Sequence, residues 1–475
     1  PLFSALTRHL AGGPRSYHVP GHQGGRAAWA GLVEAWGERV LAYDATELEA
    51  LDDLHAPSSV ILAAERLAAR AFGAERTCFL TAGATAGIIA GVLACCGPGD
   101  RVLLPRNVHR SVIAGLALAD ARPVFMVPEV DELTGVPTGL EPGTVLAHLR
   151  ECPDARLLVL VNPTYYGACG DLTALVGLAR EREVSVLVDE AHGAHLPFWP
   201  GFPGSGLSAG ADLVVHGVHK TMGALTGGAM VHLGPRSRVP EARLRSMLRL
   251  VHTTSPSYLT LASLDAARLQ AATRTEAGWT RTVVAAQQAR QAVDRMEGVV
   301  PHPPVLPQPG YVAQDPLKLV VVSAGGWCGD GLAQELNRLG YYPELSEENH
   351  ILLIMAPGYD EGKEALVEAL APALQAAGGS GGKKAMVAMP RTIPPLVMGL
   401  RRAALAPSRM VPLREAAGRA AGEMLVPYPP GTVAVCPGEL ITAEMVDWLL
   451  ARLDAGRSAH GVGPPPDYVV SVVAG

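Results

Sequence analysis

The chain has 475 residues, 48% of them hydrophobic and 18% charged, a globular composition long enough for two or three domains. Its formal net charge of −6 offers nothing to attract nucleic acid or an anionic membrane surface. The seven cysteines form no CxxC pair, residues 1–22 lack the apolar core of a signal peptide, and the apolar stretch 82–98 falls short of a membrane span. A cytoplasmic protein with no zinc site, disulfide framework, membrane or nucleic-acid partner is expected, and the slightly high mean hydropathy suits large interfaces between subunits.

In chain order, residues 1–45 are rich in Gly, Pro and aromatics and read as an arm rather than a core element. From about Arg76 to Leu233, β-rich runs alternate with helical stretches. The expected strands are Thr77–Thr81, Arg101–Leu104, Pro123–Val127, Arg156–Val161, Val184–Val188, Asp212–Val215 and Ala229–Leu233. Several are apolar throughout, as strands buried on both faces should be. Between them, Leu172–Glu183 repeats Leu172, Leu175, Val176 and Ala179 at helical spacing. This alternation predicts an α/β fold with a mostly parallel sheet. The Ala/Arg/Gln-rich stretch Leu259–Met296 reads as helix leading out of the large domain. A smaller α/β region follows, with strands at Leu317–Ser323 and His350–Met355. The run Ala376–Lys384 is the clearest linker. Beyond it Val411–Met424 reads as helix, and Tyr428–Glu439 as a Pro-rich turn into a short strand. The expected organisation is an arm (1–45), a large domain (46–275), a small α/β domain (276–375) and a C-terminal domain (385–475).

Ligands of such folds bind beyond the carboxyl ends of the strands. One apolar strand ends in Asp189-Glu190, and 31 residues later, about a strand–helix–strand unit, DLVVHGVHK ends in His219-Lys220. Both side chains can converge on one crevice. A lysine with a lowered pKa forms a Schiff base with an aldehyde, and a carboxylate facing a pyridine nitrogen keeps that ring an electron sink. Singly, Asp189 also reads as a helix cap and Lys220 as a surface lysine; together with the upstream segments they favour the cofactor reading. Upstream, LTAGATAG (Leu80–Gly87) carries a strand into a small-residue turn and a helix, which suits a phosphate. LLPRNVHRS places His109 just after another strand, where its ring can stack on a flat cofactor. NPTYYG (Asn162–Gly167) follows a third strand and offers hydroxyls.

The ordered set PGHQGG (Pro20–Gly25), DATELEALDDLHAP (Asp44–Pro57), RNVHRS, NPTYYG, VDEAHGAH, His219-Lys220, TTSPSY (Thr253–Tyr258) and YPPG…CPGE resembles the ornithine/lysine/arginine decarboxylases of pyridoxal-phosphate (PLP) fold type I, from about residue 14 onward. It resembles the compact form without an N-terminal wing domain. The resemblance implies PLP on Lys220, Asp189 at the pyridine nitrogen, Ala191 under the ring and His109 stacked over it. It implies phosphate contacts from His219 and the Gly83, Ala84 and Thr85 turn. Residues Thr253 to Ser255, Thr254 among them, would reach the phosphate of a neighbouring subunit in a homodimer or larger homo-oligomer with shared sites. His192 would sit near a basic amino-acid substrate, and Glu439 would organise the carboxyl-terminal side of the site.

Three positions depart from the family pattern. Ala82-Gly83-Ala84-Thr85 replaces an Asn-Gly turn with two hydroxyls, Gly217 stands where a phosphate-binding Ser is usual, and Ser59 replaces Gly. Two missing hydroxyls imply PLP binding weakened roughly ten- to a hundredfold. The implied activity is decarboxylation of arginine, lysine or ornithine in polyamine metabolism. Other PLP-dependent Cα chemistry, of aminotransferase or aldolase type, and a weakly active or non-catalytic binding relative are the alternatives.

Overall fold

The computed structural model describes residues 1–358, 363–378, 389–428 and 431–474. Each expected strand between 76 and 233 forms: β1 (Arg76–Leu80), β2 (Arg101–Pro105), β3 (Arg122–Met126), β4 (Ala155–Val161), β5 (Ser185–Asp189), β6 (Leu213–His216) and β7 (Ala229–Leu233). Most of their residues are buried, which explains why the sequences do not alternate. The helices used below are α1 (Leu2–Ala11), α2 (Val60–Phe72), α3 (Gly83–Cys95), α4 (Arg110–Ala119), α5 (Leu172–Arg180), α6 (Tyr258–Thr273) and α7 (Glu276–Val293). The chain divides into two units, each built from two stretches: Pro1–Ala94 with Leu187–Thr275, and Cys95–Val186 with Glu276–Gly475.

In the first unit β5 runs parallel to β6, with Leu187 opposite Leu213 and Asp189 opposite Val215. Strand β7 is antiparallel to both β6 and β1. Helix α3 packs closely on one face through its glycines: a Cβ on Gly87 would stand 2.7 Å from Leu80 Cδ1, and one on Gly91 3.2 Å from Leu187 Cδ1, so a larger residue would have to displace those leucines. Phe72 of α2 lies against His216 and His232 on the other face. The opening residues are not a simple arm. Helix α1 buries Leu2, Ala5 and Leu6, and Asp265 of α6 accepts the Leu2 N–H at 2.9 Å. Their helical spacing was masked by the Gly- and Pro-rich text that follows. In that text Gln23, Gly24 and Gly25 all have positive φ (48°, 68° and 98°), which accounts for the last two glycines of PGHQGG.

The Leu259–Met296 helix is in fact two, α6 and α7, because Arg274 adopts an extended conformation between them. In the second unit β2 is parallel to both β3 and β4. Two of the later strands, β8 (Lys318–Ser323) and β9 (His350–Ile354), pair antiparallel in a smaller sheet. Residues 411–424 do not form the expected helix. Strand β10 (Ser408–Pro412) pairs with β11 (Val469–Val473), a single turn spans Leu413–Glu415, and Gly418 has φ 77°. Pro412 would fall in the first turn of such a helix, where proline is tolerated, so it is the pairing with β11 that takes residues 411 and 412 into a strand instead. Helix α8 (Ala443–Asp454) then buries Met445, Val446, Trp448 and Leu449. The short strand near YPPG precedes it, at Val426–Tyr428, and 429–430 lie outside the described residues. Of the expected linker, Ala376 and Ala377 end the helix Lys363–Ala377, and 379–384 lie outside the described residues. Parallel pairs flanked by helices make this an α/β protein. Among the described residues no helix is long and apolar enough to cross a membrane.

Candidate active site

Strand ends place the expected residues of the first unit together. Asp189 closes β5, buried, and its Oδ1 accepts the Ala191 N–H at 3.2 Å. Ala191 in turn offers its carbonyl to the Gly217 N–H at 3.2 Å, joining the loop after β5 to the loop after β6. Lys220 follows in the short helical turn Val218–Thr221, and its Nζ stands 3.1 Å from His192 Nε2. His219 N and Nδ1 both approach Gly228 O, at 3.1 and 2.9 Å. A carbonyl only accepts, so Nδ1 carries the proton, and Nε2 can donate to an anion only when the ring is doubly protonated.

The turn after β1 behaves as its composition predicts. Gly83 has φ 73° and opens α3, whose first turn leaves N–H groups without carbonyl partners inside the helix. Gly83 gives its own N–H to Gly227 O at 2.8 Å, so an anion here would fall to Ala84 and Thr85. Thr254 is exposed between the helix Glu241–Val251 and α6, and beside it Thr253 O meets His55 Nε2 at 2.9 Å. At Gly217 a Cβ would stand 2.8 Å from Ala191 O and 3.1 Å from Lys220 Cδ. The backbone therefore has little room for the family's serine.

Two motifs prove structural. In LDDLH, Asp52 accepts N–H bonds from Asp53, Ser58, Ser59 and Ile61 at 2.8–3.0 Å, tying down the start of α2. Burial opposes ionisation there, yet these four donors hold the Asp52 carboxyl below its ordinary value. In NPTYYG two of the hydroxyls have partners within the fold: Thr164 Oγ1 accepts the Ala168 N–H at 3.1 Å, and Tyr165 donates to Glu344 at 2.5 Å.

His109 belongs to the second unit. It caps α4, where its Nδ1 accepts the Ser111 N–H at 3.3 Å, and its backbone bridges to Thr432. Three residues earlier, Arg106 makes a buried two-pronged pair with Glu439 at 2.7 and 2.8 Å and donates to Ala434 O at 2.8 Å. Phe125 lies under the guanidinium at 4.5 Å, and Glu439 also accepts the Cys436 N–H at 2.7 Å. The CPGE motif thus secures the loop that carries His109. Sequence reasoning missed Arg106, and also the buried polar group of Glu190, His216, His232 and Thr77; histidines inside otherwise apolar strands were the available signal.

The family model of the Orn/Lys/Arg decarboxylase major domain matches residues 1–309, and that of its C-terminal domain matches 392–463. The chain belongs to the Orn/Lys/Arg decarboxylase family. A Bacillus subtilis arginine decarboxylase is 36% identical across 100% of this chain and 97% of its own length. A Pseudomonas aeruginosa lysine decarboxylase is 28% identical over 98% of the chain and 77% of its own length. The Francisella novicida lysine decarboxylase structure superposes with a TM-score of 0.84 at 21% identity, covering all of this chain and 81% of that one. A serine palmitoyltransferase of Sphingomonas wittichii shares the fold more distantly, at TM-score 0.53 and 19% identity over 67% of this chain and 76% of that one. The family implies PLP, and the residues of this decarboxylase suit it. They comprise a lysine beside a histidine, a buried carboxylate at a strand end, and a positive-φ glycine turn with open space around it.

Proposed function

We propose that the chain decarboxylates arginine, using PLP carried on Lys220. The reaction class follows from family membership. Arginine is favoured among the basic amino acids because several relatives at 34–36% identity, each matched over most of its length, are named arginine decarboxylases. The observation that carries the site is the 3.1 Å approach of Lys220 Nζ to His192 Nε2, between loops that also present Asp189 and Ala191.

PLP, when bound, supplies the electron sink for the pair left behind as CO₂ departs. The protein's residues do the rest. Lys220 offers the amine that anchors the cofactor, and His192 Nε2 can take or return a proton from Nζ without either group moving far. Asp189, as a buried carboxylate, would hold a proton on the ring nitrogen, Ala191 would pack against the ring, and the family's ring-stacking role would fall to His109. Ala84 and Thr85 N–H groups, with a doubly protonated His219, would bind the phosphate. The exposed Thr253–Ser255 segment would serve the same phosphate in a second copy of the chain, in a homodimer with shared sites.

Release of CO₂ from arginine, lysine and ornithine tests the reading, with Lys220→Ala as control. Arginine should turn over fastest and the variant not at all. Turnover of lysine or ornithine with arginine inert would overturn the substrate; full activity in Lys220→Ala would overturn the site.

A further inference from the structure

We infer that Glu190, His216, His232 and Thr77 form a positioning relay that fixes the spacing of the cofactor loops; the inference rests on the reading of Lys220 as the cofactor's anchor. The strands β5, β6, β7 and β1 are otherwise largely apolar, yet one hydrogen-bonded line crosses all four. Both oxygens of Glu190 accept the Gly206 N–H at 3.2 Å, and Oε2 lies 2.9 Å from His216 Nε2. His216 Nδ1 lies 3.0 Å from His232 Nε2, and His232 Nδ1 lies 2.8 Å from Thr77 Oγ1. Glu190, His216 and His232 are 0% exposed and Thr77 2%. The Phe72 ring closes the line from α2, 5.2 and 4.7 Å from the two imidazoles.

Each strand in the line leads to a proposed cofactor contact. Strand β5 runs into Asp189, Ala191 and His192, and β6 into His219 and Lys220. Strand β1 runs into the Gly83 turn. Strand β7 begins just after Gly227 and Gly228, whose carbonyls hold Gly83 and His219. Successive side chains of a strand point to opposite faces, so Asp189 and Glu190 serve different sides of the sheet. Asp189 lies on the same side as Leu187, which meets Gly91 of α3; Glu190 joins the histidines on the Phe72 side. A line of buried directional bonds is satisfied in one register only. Sliding β6 against β5 by one residue would turn His216 away from Glu190 and break the bond between them. These residues act through Asp189, Lys220 and the Gly83 turn; none of the hydrogen bonds described here links them directly to those cofactor contacts.

The test uses the full chain loaded with PLP, and reads the PLP Kd and the visible circular dichroism of the lysine-bound cofactor. Thr77→Val removes only the terminal hydroxyl at nearly constant shape. It should fold, raise the Kd roughly tenfold, about the worth of one buried hydrogen bond, and weaken the visible signal. Glu190→Leu should lose more, and Glu190→Gln, which keeps an acceptor for His216, should recover most of it. A purely structural role would lower the melting temperature of these variants and leave Kd and the visible signal unchanged. That result in folded Thr77→Val overturns the relay, even if Glu190→Leu fails to fold. Absence of any visible band in the wild-type protein with PLP would instead remove the Lys220 reading, and the relay with it.

Discussion

At the scale of single residues, three positions make separable claims. His192 is 3.1 Å from Lys220, and its proposed part is with the proton on Nζ rather than the phosphate or the ring nitrogen. His192→Asn should therefore keep PLP bound while kcat falls by about 10² or more, the usual share of a general acid or base; stopped-flow absorbance and steady-state rates check this together. Gly217 bears on the family's missing serine. Restoring it as Gly217→Ser should not strengthen PLP binding, because its Cβ would press on Ala191 O, and overpacking of this kind costs about 1–3 kcal/mol. A higher PLP Kd and a lower melting temperature are expected from titration and thermal denaturation. Asp52 is a stability residue with a defined pH dependence. Its carboxyl is held below the ordinary 3.8 despite burial, so its contribution is complete above that value and drains as pH falls through the lower folded-state pKa. Asp52→Ala should lose about 2 kcal/mol at neutral pH, and its deficit against the wild type should shrink in acid, as read by urea unfolding at several pH values.

Elements show which parts of the fold the sequence carried. Strands such as β4 and β5 were legible because burial on both faces leaves an unbroken apolar run. The Gly83 turn was legible because a positive φ at a helix start requires a small residue. Residues 411–424 were not, since their Ala, Arg and Glu have helical spacing and only pairing with β11, more than fifty residues on, decides for a strand. The break between α6 and α7 left no mark in composition. Glu190 and His216 were hidden for another reason: their partnership exists only once β5 and β6 are in register. Arg106 and Glu439 lie still further apart in sequence, and their pairing shows how a C-terminal motif can serve the His109 loop. Removing one partner leaves a buried charge alone, so Glu439→Ala should destabilise the protein by about 3–5 kcal/mol, and Arg106→Met with Glu439→Met should recover much of that loss. Chemical denaturation of the single and double variants measures it.

For the molecule as a whole, buried histidines set the response to acid. Burial lowers His252 from 6.5 to about 4 and His350 to about 3, the nearby His55 and His302 adding to it, and His232 also falls well below its ordinary value. The unfolded chain takes up these protons near pH 6.5 and the folded chain does not, so stability is complete above that pH and falls on the way down. Glu65 and Glu190, raised by burial, run in the opposite sense and offset part of the loss. The urea midpoint should decline between pH 6.5 and 5.5, a window in which ordinary carboxylates scarcely titrate. A flat midpoint across that window would contradict the neutral, buried state of these rings. The interleaving of the two units has a consequence for synthesis. Pro1–Ala94 emerges from the ribosome before the stretch that completes its unit, Leu187–Thr275, and 137 residues separate Gly83 from Lys220. The turn proposed for the phosphate must therefore wait, half-built, while a large part of the other unit is made. Only a nascent chain long enough to expose Thr275 can present a whole first unit, so a cofactor at the proposed site would bind after more than half of the chain is made and could not template its earliest folding.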